Sequence, residues 1–228
     1  MRLKPSRTLP LFSLFLLVSS ASAGVSFRIS VDSSKAPQCE AFTRNAKVLV
    51  EEWYPKINEI LFSPDHPLPA SSIAIICEPL KAIAYTDIKK NIIHLSAAYV
   101  TEKAPDDYGM VIHELTHIVQ HYNKLKPSEV WLQEGIADYI RHRYFEGDLD
   151  RLTIDPGQSS YRQGYKPAAL FLAWLQRKKD PNLVHNLNEA CSQGHCGPDL
   201  FVRFCGTDVE MLWSQFESEL PRNASGKK

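Results

Sequence analysis

Residues 113–117 read His113-Glu114-Leu115-Thr116-His117, within a run from Gly109 to Asn123 that has a helical pattern. The rest of the chain is read outward from this H-E-x-x-H string. An α-helix turns once per about 3.6 residues, so His113 and His117, four apart, share one face. Two imidazoles on one face can bind a single Zn²⁺. The Glu beside the first of them can act as general base on a metal-bound water. A zinc-dependent hydrolase, most often a peptidase, is the expectation.

A catalytic zinc takes three protein ligands and keeps one position open. The third candidate lies in Trp131-Leu132-Gln133-Glu134-Gly135-Ile136-Ala137-Asp138-Tyr139, where Glu134 follows His117 by 17 residues. Alone, this stretch reads as an amphipathic helix with two solvated acids. Placed just after H-E-x-x-H, Glu134 becomes the third ligand. Asp138, at i+4 on the same face, becomes the acceptor for the outer nitrogen of a ligating His. A short loop, Lys124 to Ser128 with Pro127, would bring the two helices together. The longer motif H-E-x-x-H-x-x-G-x-x-H is excluded, because Gln120 and Asn123 stand where it needs Gly and His. His121 reads as a flanking polar residue.

The N-terminus has the form of a signal peptide, residues 1–23. Arg2, Lys4 and Arg7 precede an apolar run from Leu9 to Val18, and Ala21-Ser22-Ala23 is an A-x-A cleavage sequence. Secretion, to the exterior or a periplasm, is the expectation, with cleavage after Ala23 and no membrane association afterwards. Removal of the signal takes the charged residues from 26 basic and 26 acidic to 23 and 26. The slightly acidic remainder has no basic stripe with interleaved aromatics, so no nucleic-acid partner is expected. Five cysteines suit an exported protein and leave one unpaired. One bridge within Cys191, Cys196 and Cys205 is expected, together with a possible Cys39–Cys77 bridge.

Along the chain, Val25 to Val31 alternates like a half-buried strand. Ala36 to Leu61 has a helical stripe (Phe42, Ala46, Val50, Trp53, Ile57, Ile60) with a kink or break at Pro55. Ser71 to Cys77 reads as a strand. Ala82 to Tyr85 and Asn91 to Leu95 read as a hairpin, with the second of these at the edge of the cleft, open to an extended peptide. Further helices are expected over Tyr165 to Lys179, Pro181 to Ala190 and Thr207 to Leu220. Strands with one long helix, followed by helices, indicate an α+β fold with a small mixed sheet. Residues 24–222 form one expected domain, with a sheet-containing half (24–104), a helical half (105–222) and a short tail (223–228).

These pieces resemble the plant and bacterial basic secretory protein family of zinc peptidases. The likeness is clearest in H-E-L-T-H-I-V-Q at 113–120, E-G-I-A-D-Y at 134–139, Q-G-Y at 163–165 and Leu212-Trp213-Ser214. The resemblance implies a zincin-like fold, secretion and peptidase activity on peptides or proteins. It also implies His113, His117 and Glu134 as ligands and Glu114 as base. The family's "basic" label does not carry over to a chain whose mature part is slightly acidic.

Peptide hydrolysis needs a second donor beside the metal for the developing oxyanion. Tyr161 and Tyr165 are the candidates. Tyr161 sits in a Y-x-x-G string, similar to the placement of a catalytic Tyr in some thermolysin-like aminopeptidases. Tyr165 belongs to the Q-G-Y string. Should neither serve, His142 or His185 is next. Two other classes stay open on the sequence: a zinc amidase acting on cell-wall peptides, and a non-catalytic secreted binding protein with a retained zinc.

Overall fold

A computed structural model describes residues 26–221. The signal-peptide and tail assignments at 1–23 and 223–228 lie outside the described residues. The fold is α+β. Strands β1 (Arg28–Asp32), β2 (Ser72–Glu78), β3 (Ala84–Asp87) and β4 (Ile92–Ser96) form one mixed sheet in the order β1-β2-β4-β3. β1, β2 and β4 run parallel, and β3 is antiparallel to β4.

The order corrects one expectation. The strand at the cleft edge is β3, the first of the hairpin, and β4 lies inside the sheet. Burial explains the choice. β4 carries Ile93 and Leu95, both fully buried, whereas β3 is Ala-Tyr-Thr-Asp and buries none of its residues completely. The more apolar strand takes the position with two neighbours.

Helix α1 (Glu40–Leu61) covers the sheet with a buried stripe of Phe42, Ala46, Val50, Tyr54, Ile57 and Leu61. It continues through Pro55, so of the kink or break expected there the break does not occur. An interior proline costs about 3 kcal/mol. Each apolar side chain fully removed from water contributes about 1.5–3 kcal/mol. Tyr54, Ile57 and Leu61 flank the proline and are all completely buried, so packing outweighs the lost backbone bond. The Tyr54 hydroxyl bonds the backbone of Ala70, fixing the approach to β2. A disulfide from Cys39, just before α1, to Cys77 on β2 ties helix to sheet.

The helical half begins with α2 (Gly109–Gln120), every residue of which is buried. The Asp107 carboxylate accepts from the Met110 N–H at 3.1 Å and places negative charge at the helix start. His121 ends the helix in the left-handed region at φ 45°. Next come α3 (Val130–Ile140) and α4 (Tyr165–Lys178). These two cross closely because Gly135 has no side chain: a Cβ there would lie 2.5 Å from the Ala168 Cβ. Helices α5 (Leu183–Ser192), α6 (Asp199–Cys205) and α7 (Val209–Glu219) complete the order, α6 being unforeseen in the sequence. Phe171, Trp174, Trp213 and Phe216 interlock α4 with α7. The second disulfide joins Cys191 to Cys196, and Cys205 is unpaired, as the cysteine count requires. Among the described residues, no helix is long and apolar enough to cross a membrane.

Candidate metal centre

α2 and α3 bring His113, His117 and Glu134 to one point. The two Nε2 atoms are 3.2 Å apart. Glu134 Oε2 lies 3.1 Å from His113 Nε2 and 3.5 Å from His117 Nε2. Three ligands at 2.0–2.1 Å from a tetrahedral zinc would be separated by about 3.3–3.4 Å. The triangle of donor atoms therefore has the size of one face of such a tetrahedron.

The outer nitrogens settle the tautomers. His113 Nδ1 lies 2.7 Å from Asp138 Oδ1, a carboxylate that can only accept when ionised, so Nδ1 carries the hydrogen. His117 Nδ1 lies 2.8 Å from Gln120 Oε1. The Gln120 amide is oriented by its own donation to the Gln133 carbonyl at 3.0 Å, so its oxygen faces the histidine. Both rings in this form turn an Nε2 lone pair toward Glu134 Oε2. Three acceptors aimed at one point repel each other unless a cation, a proton or a metal ion, stands between them. Burial disfavours a charged His113, yet its bonds to Asp138 and Glu134 outweigh that and raise its pKa to about 9. Burial likewise pushes Glu134 up, but the two histidines override it and hold its carboxyl well below the usual range. The donor set fits zinc, in both chemistry and spacing.

Glu134 is placed by a glycine. Gly164 (φ 70°, ψ −154°) occupies a backbone region that side chains do not reach. A Cβ there would lie 3.0 Å from the Glu134 Cβ. The corner then delivers Tyr165 at φ 46°, unusual for an aromatic residue. Tyr165 is 54% exposed, and its ring stacks near His113, centroids 5.9 Å apart. Partial burial, then the charges of Glu134, Glu114 and Asp138, raise its pKa and keep the hydroxyl a donor.

The site opens into a cleft of about 610 Å³ between β3 and the two helices, lined by Tyr85, Thr86, Glu114, Arg141 and Tyr165 among others. Glu114 is buried, and its Oε2 lies 2.7 Å from the Thr86 hydroxyl of the edge strand. Tyr161 is not brought to the cleft. It is 2% exposed, packs edge-on to Trp131 and donates its hydroxyl to Glu210 behind α3. Only three residues separate the two tyrosines, and the Gly164 corner turns them to opposite sides. His121 lies past the end of α2. His142 lies in a separate cluster with Glu146 and Asp148, and His185 pairs with Glu189.

The sequence reading assigns no role to Gln120, Gly164 or Thr86. Gln120 was accessible to it, since i+3 from His117 on a helix is a neighbouring position. Gly164 was quoted only as part of a string. Nothing in the sequence pointed to Thr86, which meets Glu114 across 28 positions.

Comparison with solved structures finds a two-domain M1 zinc metallopeptidase, a mutant bound to L-tryptophan. It matches 76% of this chain and 44% of its own at 14% identity, with a TM-score of 0.48. This chain thus spans less than half the length of that one. No curated protein matches the sequence. The sequence pattern of one family, described as "Peptidase of plants and bacteria", matches residues 22–216. That span takes in both the helices that carry the His113, His117 and Glu134 triangle and the sheet edge beside them, and the chain belongs to this family of peptidases.

Proposed function

We propose that the protein is a secreted, zinc-dependent metallopeptidase of zincin-like fold, with His113, His117 and Glu134 as ligands and Glu114 as general base. The single observation that carries this reading is the triangle of converging donors, each histidine buried and held from outside by Asp138 or Gln120. A bound zinc would supply a Lewis acid that activates water and polarises the scissile carbonyl. Glu114 takes the proton of the attacking water on its carboxylate and passes it to the leaving amine. Tyr165, at the mouth of the cleft, donates its phenolic hydrogen to the oxyanion that develops on the carbonyl. Asp138 and Gln120 keep both rings in the tautomer that presents Nε2.

Secretion is proposed from the 1–23 sequence. Two disulfides, Cys39–Cys77 and Cys191–Cys196, suit an oxidising compartment. Peptides or proteins are the proposed substrates, in keeping with the family. The intact base beside the ligands favours catalysis over a binding role, because a structural metal does not require one. The test is metal analysis of the purified protein together with digestion of a peptide library, with and without chelator. One zinc per chain and chelator-sensitive cleavage are expected. A metal-free protein that cleaves peptides equally well would sink the reading.

A further inference from the structure

Glu114 is met from the opposite wall of the cleft by Thr86. The hydroxyl Oγ1 lies 2.7 Å from Glu114 Oε2 and 2.9 Å from the Glu114 backbone oxygen. A hydroxyl has one hydrogen, so it can donate to only one of these acceptors at a time. We propose that Thr86 is a positioning residue for the general base, holding Glu114 Oε2 while leaving Oε1 to take the proton. This rests on Glu114 being the base, as argued above.

The two acceptors give the hydroxyl a partner throughout a turnover. While Glu114 is ionised, Thr86 donates to Oε2, the stronger acceptor because it carries charge. Once Glu114 holds the proton taken from water, Oε2 accepts more weakly, and the hydroxyl can turn to the backbone oxygen. The hydrogen of Thr86 never leaves it. The transferred proton moves from water to Glu114 and on to the amine. Neither state leaves a polar group in the cleft wall without a partner, which would otherwise oppose one of them.

The strand that carries Thr86 is itself fixed. Successive residues of a strand point to opposite faces. Tyr85, its neighbour, stacks flat on His94 of β4, with centroids 4.4 Å apart and planes 8° apart. His94 Nδ1 is 2.8 Å from Glu78 Oε1, and Lys35 donates to Glu78 Oε2 at 2.6 Å. The outer face of the edge strand is thereby pinned to β2 and β4. Thr86, registered opposite Ile93, keeps a defined position over α2. Its branched side chain also suits a strand.

Two substitutions separate the hydroxyl from the rest of the side chain. Thr86→Val keeps shape and strand preference and removes only the hydroxyl. Thr86→Ser keeps the hydroxyl. The readouts are kcat and KM on one quenched-fluorescent peptide cleaved by the wild-type zinc protein, together with zinc content and Tm. Thr86→Val is expected to lose about 10- to 100-fold in kcat, the scale of a hydrogen bond to a charged group. KM, zinc content and Tm should stay near wild type, and Thr86→Ser should keep most of the turnover. Wild-type kcat in Thr86→Val overturns the proposal, as does an equal loss in Thr86→Ser. A Thr86→Val loss explained by lower zinc content or Tm also overturns it, since the role would then be structural. Glu114→Gln, measured alongside, distinguishes the two levels. If it is inactive with zinc bound, the base assignment stands whatever Thr86 does. If it turns over normally, both fall together.

Discussion

Among the described residues, histidines and carboxylates cluster in two separate groups, and the two are built on opposite plans. In each, one atom per residue can come within 4.8 Å of the others. In the first, His113 and His117 spend Nδ1 on Asp138 and Gln120, so the Nε2 atoms turn inward and converge on Glu134 Oε2, at 3.1 and 3.5 Å. In the second, His142 spends Nδ1 inside the cluster, 3.0 Å from Glu146 Oε2 and 2.9 Å from Asp148 Oδ1. The other oxygen of Glu146 accepts from Arg141 Nε at 2.6 Å. In the first group both histidines are buried, Glu134 is partly buried, and the three inner atoms face one another. The second is partly buried throughout, and its carboxylates already accept from His142 and from Arg141 beside it, the pattern of an ion-pair cluster. The set of residue types does not make a metal site. What matters is whether groups outside the set hold the donors and leave their lone pairs pointing inward.

The strongest way to break this contrast is to remove one member of the first triangle. Glu134→Ala should come through buffer exchange with little zinc and no measurable hydrolysis, because two imidazoles alone hold a catalytic zinc poorly. Metal content by atomic spectroscopy decides it; full zinc in this variant would mean that the triangle is not the site. Glu114→Gln should be as inactive, yet keep its zinc, since the change spares all three ligands.

The next largest effect tests the group facing the triangle. Tyr165→Phe is expected to lose about 10²–10³ in kcat with KM nearly unchanged, as for a donor used only in the transition state. Tyr161→Phe should keep wild-type kcat and lose about 0.5–1.5 kcal/mol of stability with the bond to Glu210. Reversed results in steady-state kinetics would return the role to Tyr161.

A smaller effect is expected one bond further out. Asp138→Asn should lower zinc affinity or activity by about 10- to 100-fold, the usual range for a residue that orients a ligand. A competition titration against a chelator of known affinity measures it. If this variant is stripped of metal and Glu134→Ala is not, the two acids exchange roles. The smallest expected effect sharpens the comparison from the other side. Glu146→Gln should leave the zinc stoichiometry at its wild-type value. A zinc content that falls in this variant would make the second cluster a metal site as well.

Much of the site was legible because its residues are close in sequence and set by helical periodicity. His113, Glu114 and His117 lie within five positions on one helix. Glu134 and Asp138 repeat the i, i+4 spacing on the next, and a short loop leaves few ways to pair two helices. Strand and helix identities were legible for the same reason, as was the hairpin, whose strands are neighbours. At Pro55 the local cost of a proline is written in the sequence, and the packing that keeps the helix continuous is not.

What the tertiary structure alone decided involves partners far apart or turned by a single backbone angle. The pairing of β4 with β2 moved the cleft edge to β3, because a strand's place in a sheet depends on how apolar it is relative to every other strand. Gly164, at a positive φ, sent Tyr161 into the core and Tyr165 to the cleft, a choice that no periodicity in the sequence encodes. Thr86 met Glu114 only because the sheet edge folds over α2. The sequence by itself determined which chemistry the chain could carry, since ligand type and helical spacing are local. The fold determined which groups hold that chemistry in place, since hydrogen-bond partners are chosen by distance in space.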